Sequence, residues 1–176
     1  LARKCGFDNI NTDLIAGLPT DTPESFKNSL DSIVRLNAEC ITVHTLCMKR
    51  ASRLTTEGVT LDLQQARDAR EMLAYTQNIL GQNEYIPYYM YRQSRMVGNL
   101  ENVGWSKKGF ESLYNVYVMD ETHTILACGS GGVTKLKRNN PDYLERIFNF
   151  KYPYEYIDRF DELIQRKSGI MQFYGQ

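Results

Sequence analysis

Asp13 is the side chain in this sequence best placed for chemistry. It lies in residues 9–19, Asn-Ile-Asn-Thr-Asp-Leu-Ile-Ala-Gly-Leu-Pro. There Ile10, Thr12 and Leu14 share one side of an extended chain, and Asn11, Asp13 and Ile15 share the other. An unpaired carboxylate is too costly to bury in a dry core, so Asp13 must meet a partner, a ligand or water. Polar groups near the carboxyl end of a strand, just before a βα loop, stand where α/β folds place their active sites. The plainer role for such an Asp is to cap or pin the loop. Two clusters of cations also follow expected strand ends, Lys-Arg-Ala-Ser-Arg at 49–53 and Arg-Gln-Ser-Arg at 92–95. A solvated loop accounts for either cluster, as would a substrate bearing carboxylates, which guanidinium groups pair with two hydrogen bonds at a time.

Other residue types argue against particular chemistries. Cys5, Cys40, Cys47 and Cys128 form no C-x-x-C pair and lack the dense spacing of a secreted scaffold. A reduced, cytoplasmic protein with no metal bound by this chain is expected. His44 and His123 lie far apart in sequence, and His44 reads as a structural histidine within a strand. The glycine-rich stretch 129–135, Gly-Ser-Gly-Gly-Val-Thr-Lys, matches neither the P-loop nor the dinucleotide spacing.

The elements that must position these residues can be read in order. A strand is expected over 9–15, ended by Gly17 and Pro19. A helix over 23–36 follows, capped by Asp21 or Thr22, with Pro23 in its first turn and Phe26, Leu30, Ile33 and Val34 as its apolar stripe. A second strand over 40–46 completes a βαβ unit with parallel strands. A helix over 62–80 comes next, with Gly81 as its stop, then a strand over 85–91. Pro87 removes a ladder donor from that strand, so an edge position or a break is expected. Residues 98–109 read as loop. Residues 113–119 and 124–128 read as short apolar runs of a hairpin-like or irregular extension, and 141–148 and 153–166 as amphipathic helices. The fold class is α/β. The organisation expected is βα units over 1–100, a β extension with the glycine-rich loop over 101–136, and a helical tail over 137–176.

With 176 residues, one domain, or one and a tail, is expected, and an apolar fraction of 42% allows a sizeable core. The 21 basic and 21 acidic residues cancel, which argues against binding nucleic acid or a membrane surface through bulk charge. No apolar run approaches the length needed to cross a bilayer. The chain begins with Leu1 and its first clear element starts abruptly, so a piece of a longer protein is expected.

Ile10 to Pro19, with Thr22-Pro23-Glu24-Ser25-Phe26, closely resembles a segment of the oxygen-independent coproporphyrinogen III oxidases. These are radical S-adenosylmethionine enzymes, also called coproporphyrinogen dehydrogenases. The likeness continues through Leu36-Asn37, the strand 41–46, Leu100-Glu101-Asn102-Val103-Gly104, Gly109-Phe110-Glu111-Ser112 with Asn115, and Leu126-Ala127-Cys128-Gly129-Ser130-Gly131. It covers roughly residues 5–136.

The resemblance implies the C-terminal part of a partial β/α barrel that uses S-adenosylmethionine and a [4Fe–4S] cluster. The reaction it implies is oxidative decarboxylation of coproporphyrinogen III to protoporphyrinogen IX. S-adenosylmethionine contacts carry over onto Asp13 by its side chain, onto Cys47 by its main chain, and onto Val133. Arg50, Arg92, Arg95 and Lys135 become candidate partners for the substrate's propionates. The family's C-x-x-x-C-x-x-C motif is absent, and three thiolates are needed to hold such a cluster with one iron left open. Its ligands are therefore expected upstream, and this chain alone should be inactive. Relatives of the family include haem chaperones, which leaves a haem-binding role open, as it does a cluster-free tetrapyrrole-binding module. A barrel opened at its first strand leaves a bare edge, so self-association is expected.

Overall fold

The computed structural model describes residues 1–48, 54, 58, 62–94 and 96–175. Arg50 and Arg95, two of the candidate cations, lie outside the described residues. The chain divides into two compact units, Leu1–Ser112 and Leu113–Gln176.

The first unit is a four-stranded mixed sheet with two helices. Strand β1 (Asn11–Ala16) leads into helix α1 (Pro23–Leu36), which returns to strand β2 (Cys40–Thr45). The two strands are parallel, with Asp13 level with Thr42 and Ile15 level with His44. Helix α2 (Leu63–Gln82) then leads to strand β3 (Tyr85–Tyr91), and a short 3-10 turn at Val97–Asn99 to strand β4 (Asn102–Lys107). The strand order is β1-β2-β4-β3, with β4 antiparallel to both of its neighbours. Both expectations for Pro87 hold: β3 lies at the edge of the sheet and a bulge interrupts it between Pro87 and Tyr89.

Local chemistry fixes the helices. Thr22 and Ser25 close a reciprocal capping box at the start of α1, and Asp62 and Gln65 do the same for α2. Phe26 and Leu30 of α1 join Met72 and Leu80 of α2, Ile41 and Val43 of β2, Tyr85 and Trp105 in one core. Each such side chain contributes about 1.5–3 kcal/mol by leaving water. Gly17 adopts φ +83° where α2 presses closely, since a β carbon there would stand 3.2 Å from the Ala69 methyl. Gly81 falls inside the last turn of α2, which runs on to Gln82, so that glycine is not the stop the sequence suggested.

The largest departure within this unit is β4. Its residues fall inside the stretch 98–109 expected as loop. Asn102, Gly104 and Ser106 have little strand propensity of their own, but pairing on both sides, with β2 and β3, overrides it.

The second unit departs further. Residues 113–119, expected as an extended run, form helix α3 (Leu113–Asp120). Residues 141–148, expected as a helix, form strand β6 (Asp142–Phe148), paired antiparallel along its whole length with β5 (Val133–Asn139). Leu144, Ile147 and Phe148 suit either a helix or a strand, and the partner strand decides. The helix expected over 153–166 is two, α4 (Pro153–Asp158) and α5 (Phe160–Lys167), separated at Arg159, and α6 (Gly169–Tyr174) follows. The tail expected to be helical from 137 onward is therefore a hairpin and then helices. Leu136, Leu163, Phe150 and Phe173 are buried in this unit, and Arg159 and Arg166 lie over the Phe150 ring, 4.1 and 4.2 Å from its centre.

Glu39 ties the lead-in of β1 to the start of β2. It is 6% exposed, accepts from Arg3 at 2.6 Å and takes the Ile10 amide at 3.0 Å. Burial pushes its carboxyl up, but the hydrogen bonds from Arg3 and the Ile10 amide outweigh this and leave it below its ordinary value of 4.5. A carboxyl depressed on folding stabilises the protein fully above that ordinary value, and the contribution is lost as pH falls through the depressed one. Glu39→Gln should cost about 1–3 kcal/mol at pH 7 in urea unfolding. The gap between variant and parent should close as the pH is taken below 4.5.

Candidate functional site

The sheet packs one side against helices α1 and α2, and Asp13 lies on the other. Thr12, Leu14 and Ala16 alternate with Asn11, Asp13 and Ile15 along β1, and Leu14 and Ala16 join the core under the helices. Asp13 thus faces away from the helices, with 59% of its side chain exposed. It is neither buried in hydrocarbon nor locked to a helix.

Two polar rails leave Asp13 and cross the sheet. On the first, Asn11 donates to Asp13 at 2.9 Å and accepts from the Thr42 hydroxyl at 3.2 Å. Thr42 also meets the Tyr89 hydroxyl at 3.2 Å. With its single proton given to Asn11, Thr42 accepts from the Tyr89 phenol. On the second rail, Asp13 lies 3.8 Å from Nε2 of His44, whose Nδ1 is 3.5 Å from the Tyr91 hydroxyl. His44, read from the sequence as structural, therefore belongs to this face. Both rails end on one aromatic pair. The Tyr89 and Tyr91 rings are stacked, 6.3 Å apart and 13° from parallel, and Tyr88 meets the edge of Tyr89 at 4.8 Å. Burial pushes both the Tyr89 and Tyr91 phenols above their ordinary value, so they stay protonated and neutral.

Gly104 makes room for this pair. A β carbon at Gly104 would stand 1.9 Å from a ring carbon of Tyr89, so the ring lies directly against the β4 backbone. Strand parity explains why the sequence concealed this. In an unbroken strand Tyr85, Pro87, Tyr89 and Tyr91 would share one side. The bulge skips Tyr88, so Pro87 pairs with Trp105 while Tyr89 pairs with Gly104. Tyr85 accordingly joins the core, while Tyr89 and Tyr91 join Asp13's face. A search for tyrosines opposite a strand glycine would have been the available signal.

The other candidates are placed as follows. Cys47 lies two residues beyond β2, pairs as an isolated bridge with Met96 and donates its thiol to the Ser94 carbonyl at 3.3 Å. Arg92, just past β3, is paired with Glu101. In the second unit Val133 opens β5, and with Lys135, Tyr114, Val118, Leu126 and Cys128 it lines a cavity of about 360 Å³. Lys135 is held there by Glu121 at 2.7 Å and by the Val118 carbonyl at 3.2 Å. Hydrogen bonds from Lys135 and Arg146 keep the Glu121 carboxyl below its ordinary value. The glycine-rich stretch is structural on its own evidence: Gly131 donates to the Phe150 carbonyl, and Gly132 accepts from the Asn149 amide.

Among the described residues no three His, Cys, Asp or Glu side chains gather as metal ligands. Cys5 and Cys128 are exposed, Cys40 is buried, and no three thiols are grouped to hold a [4Fe–4S] cluster. The described residues do not fit that group.

Gly104→Ala should destabilise the protein by about 1–3 kcal/mol, because Tyr89 must leave its place. In a Tyr89→Ala background the same substitution should cost nothing measurable. Urea unfolding of the four proteins checks both statements.

Over 172 residues, 98% of its length, the chain is 37% identical to the oxygen-independent coproporphyrinogen-III oxidase-like protein HemZ of Bacillus subtilis (strain 168), of which it covers 34%. It is 29% identical over 147 residues to the heme chaperone HemW of Lactococcus lactis subsp. lactis (strain IL1403), a match covering 78% of this chain and 34% of that protein. Its fold is similar to that of the coproporphyrinogen III oxidase HemN from Escherichia coli, a radical SAM enzyme. The TM-score is 0.57 at 19% identity, over 92% of this chain and 36% of that one. No protein-family model matches the chain. The chain spans about a third of the length of the relatives it matches. Along nearly all of its length the chain is thus similar to one part of an oxygen-independent coproporphyrinogen-III oxidase-like protein, and it shares its fold with part of one such oxidase.

Proposed function

We propose that this chain forms part of a longer radical S-adenosylmethionine enzyme of the cytoplasm that oxidatively decarboxylates two propionates of coproporphyrinogen III. The products are two vinyl groups, giving protoporphyrinogen IX. The observation that carries the reading is Asp13, held by Asn11 on the sheet face away from the helices within a sequence 37% identical to HemZ. In this reading the parallel pair β1–β2 belongs to a partial β/α barrel whose inner side is the Asp13 face. On the same reading the cluster's thiolates come from sequence outside this chain, whose own cysteines lack the C-x-x-x-C-x-x-C spacing.

Asp13 would then take the ammonium group or ribose hydroxyls of S-adenosylmethionine by charge-assisted hydrogen bonds. Cys47 would contribute its main chain, and Val133 is a further contact that the family resemblance implies. S-adenosylmethionine supplies the radical that abstracts hydrogen from a propionate when it is bound beside the cluster. Arg92 and Lys135 are the propionate partners in this reading, as are Arg50 and Arg95. Arg92 would exchange Glu101 for a substrate carboxylate, an exchange between like ion pairs that costs little where both partners are exposed, and Lys135 would exchange the half-buried Glu121.

The full-length protein carrying this sequence, reconstituted anaerobically with its cluster, should release carbon dioxide from coproporphyrinogen III. Asp13→Asn should weaken S-adenosylmethionine binding about tenfold, the loss of one charge-assisted contact. The likeness to HemW supports a second reading as a haem-binding protein. Stable haem binding without carbon dioxide release would favour it and sink the first. Among the described strands β1 lies at the edge of its sheet. We expect the isolated chain to associate through it, and sedimentation as a monomer at all concentrations would rule that out.

A further inference from the structure

On the Asp13 face, the strand residues include no Lys or Arg, and Asp13 carries the permanent charge. The two rails from Asp13 end on the stacked, neutral rings of Tyr89 and Tyr91. Such rings present negative π faces, which attract a cation and give nothing comparable to its neutral analogue. A carboxylate beside an aromatic pair, with no competing fixed cation among the strand residues, is complementary to an organic cation and mismatched to an anion. The propionates of a tetrapyrrole therefore do not suit this face, whereas an onium centre does.

We infer that Tyr89 and Tyr91, together with Asp13, form a recognition site for an organic sulfonium, with the rings selecting the positive sulfur. The inference rests on the proposed function for the identity of the ligand, S-adenosylmethionine, and goes beyond it in assigning the two tyrosines. Asp13 holds the ligand's polar end, and the tyrosines make binding depend on the sulfur's charge. Gly104 and Thr42 are positioning residues here. The first leaves space for the Tyr89 ring, and the second holds its hydroxyl. His44 faces Asp13 from β2 and Tyr91 from β3.

The test compares S-adenosylmethionine with S-adenosylhomocysteine, its uncharged thioether, by calorimetric titration of the full-length protein at pH 8. Parent protein should prefer the sulfonium. Tyr89→Leu and Tyr91→Leu should each reduce that preference about tenfold, while Tyr89→Phe and Tyr91→Phe keep it, because the π face survives. A merely structural tyrosine would weaken both ligands alike and leave their ratio unchanged, and that result overturns the inference. Asp13→Asn separates the two levels. If it leaves S-adenosylmethionine affinity untouched, the proposed function fails along with the inference. If it weakens binding while the leucine variants keep the ratio, only the tyrosine assignment fails. Should the leucine variants not fold, trimethylsulfonium is added to the parent protein, and the ring resonances of Tyr89 and Tyr91 are followed by NMR. Shifts confined to those rings support the inference, and their absence overturns it.

Discussion

A strand repeats every two residues, and that period decides almost everything about this molecule's candidate site. Leu14 and Ala16 must reach the helices, so Asp13 must point the other way. Helices α1 and α2 seal the first side with Phe26, Leu30, Met72 and Leu80, and on the second side Asp13 stays in water while Thr42, Asn102 and Ser106 are buried. Burying Asp13 without a partner would cost more than the strand could recover. Sidedness of this kind lets a carboxylate sit in the middle of a stable sheet and remain available. It also explains the clamp at Glu39. That residue lies near the sheet's end, where Arg3 and the Ile10 amide satisfy its oxygens, so it is a closed interaction where Asp13 is an open one.

Much of the first unit was legible because its signals are local. The Thr22 cap with Pro23, the stripe of Phe26 and Leu30, and the alternation in β1 and β2 each determine structure within a few residues. Asp13 could be singled out for the same reason. What stayed hidden depends on partners distant in sequence. Strand β4 is built on weak strand formers, and Gly104 looked like a loop residue until its neighbours were known. The hairpin β5–β6 was concealed because Leu144, Ile147 and Phe148 are spaced ambiguously and only pairing with β5 resolves them. Tyr89 and Tyr91 were the costliest omission. A one-residue bulge inverts the parity of β3, and nothing in the local pattern announces which side the rings will take.

The candidate cations show a different limit. Residue type correctly marks Arg92 and Lys135 as groups that pair with carboxylates, but it cannot say whose. In the folded chain the partners are Glu101 and Glu121, supplied from nearby in the sequence. Arg92 with Glu101 is neutral in sum and attracts an anionic ligand only by exchange, whereas Glu121 is shared by Lys135 and Arg146. Among the described residues Asp13 has no such closed partner. Asn11 is uncharged, and His44 at 3.8 Å is beyond hydrogen-bond reach. Of Asp13 and Arg92, Asp13 thus keeps its charge the less compensated.

That contrast sets the kind of ligand each place can select. Exposed ion pairs are worth little and exchange readily, so Arg92 can adapt to a carboxylate wherever one arrives but cannot enforce a choice. The Asp13 face is less adaptable. Its tyrosines are held by a hydroxyl contact to Thr42, by stacking on one another, and by close approach to the Gly104 backbone, so they lose little freedom when a ligand settles on them. Preorganised neutral rings beside an uncompensated carboxylate discriminate by the sign of the ligand's charge more than by its shape. An anion placed there would meet a like charge and two negative π faces, and a neutral ligand would gain only its buried area. The missing β carbon of Gly104 therefore matters to specificity as well as to packing, because it lets the Tyr89 ring take its place beside the strand.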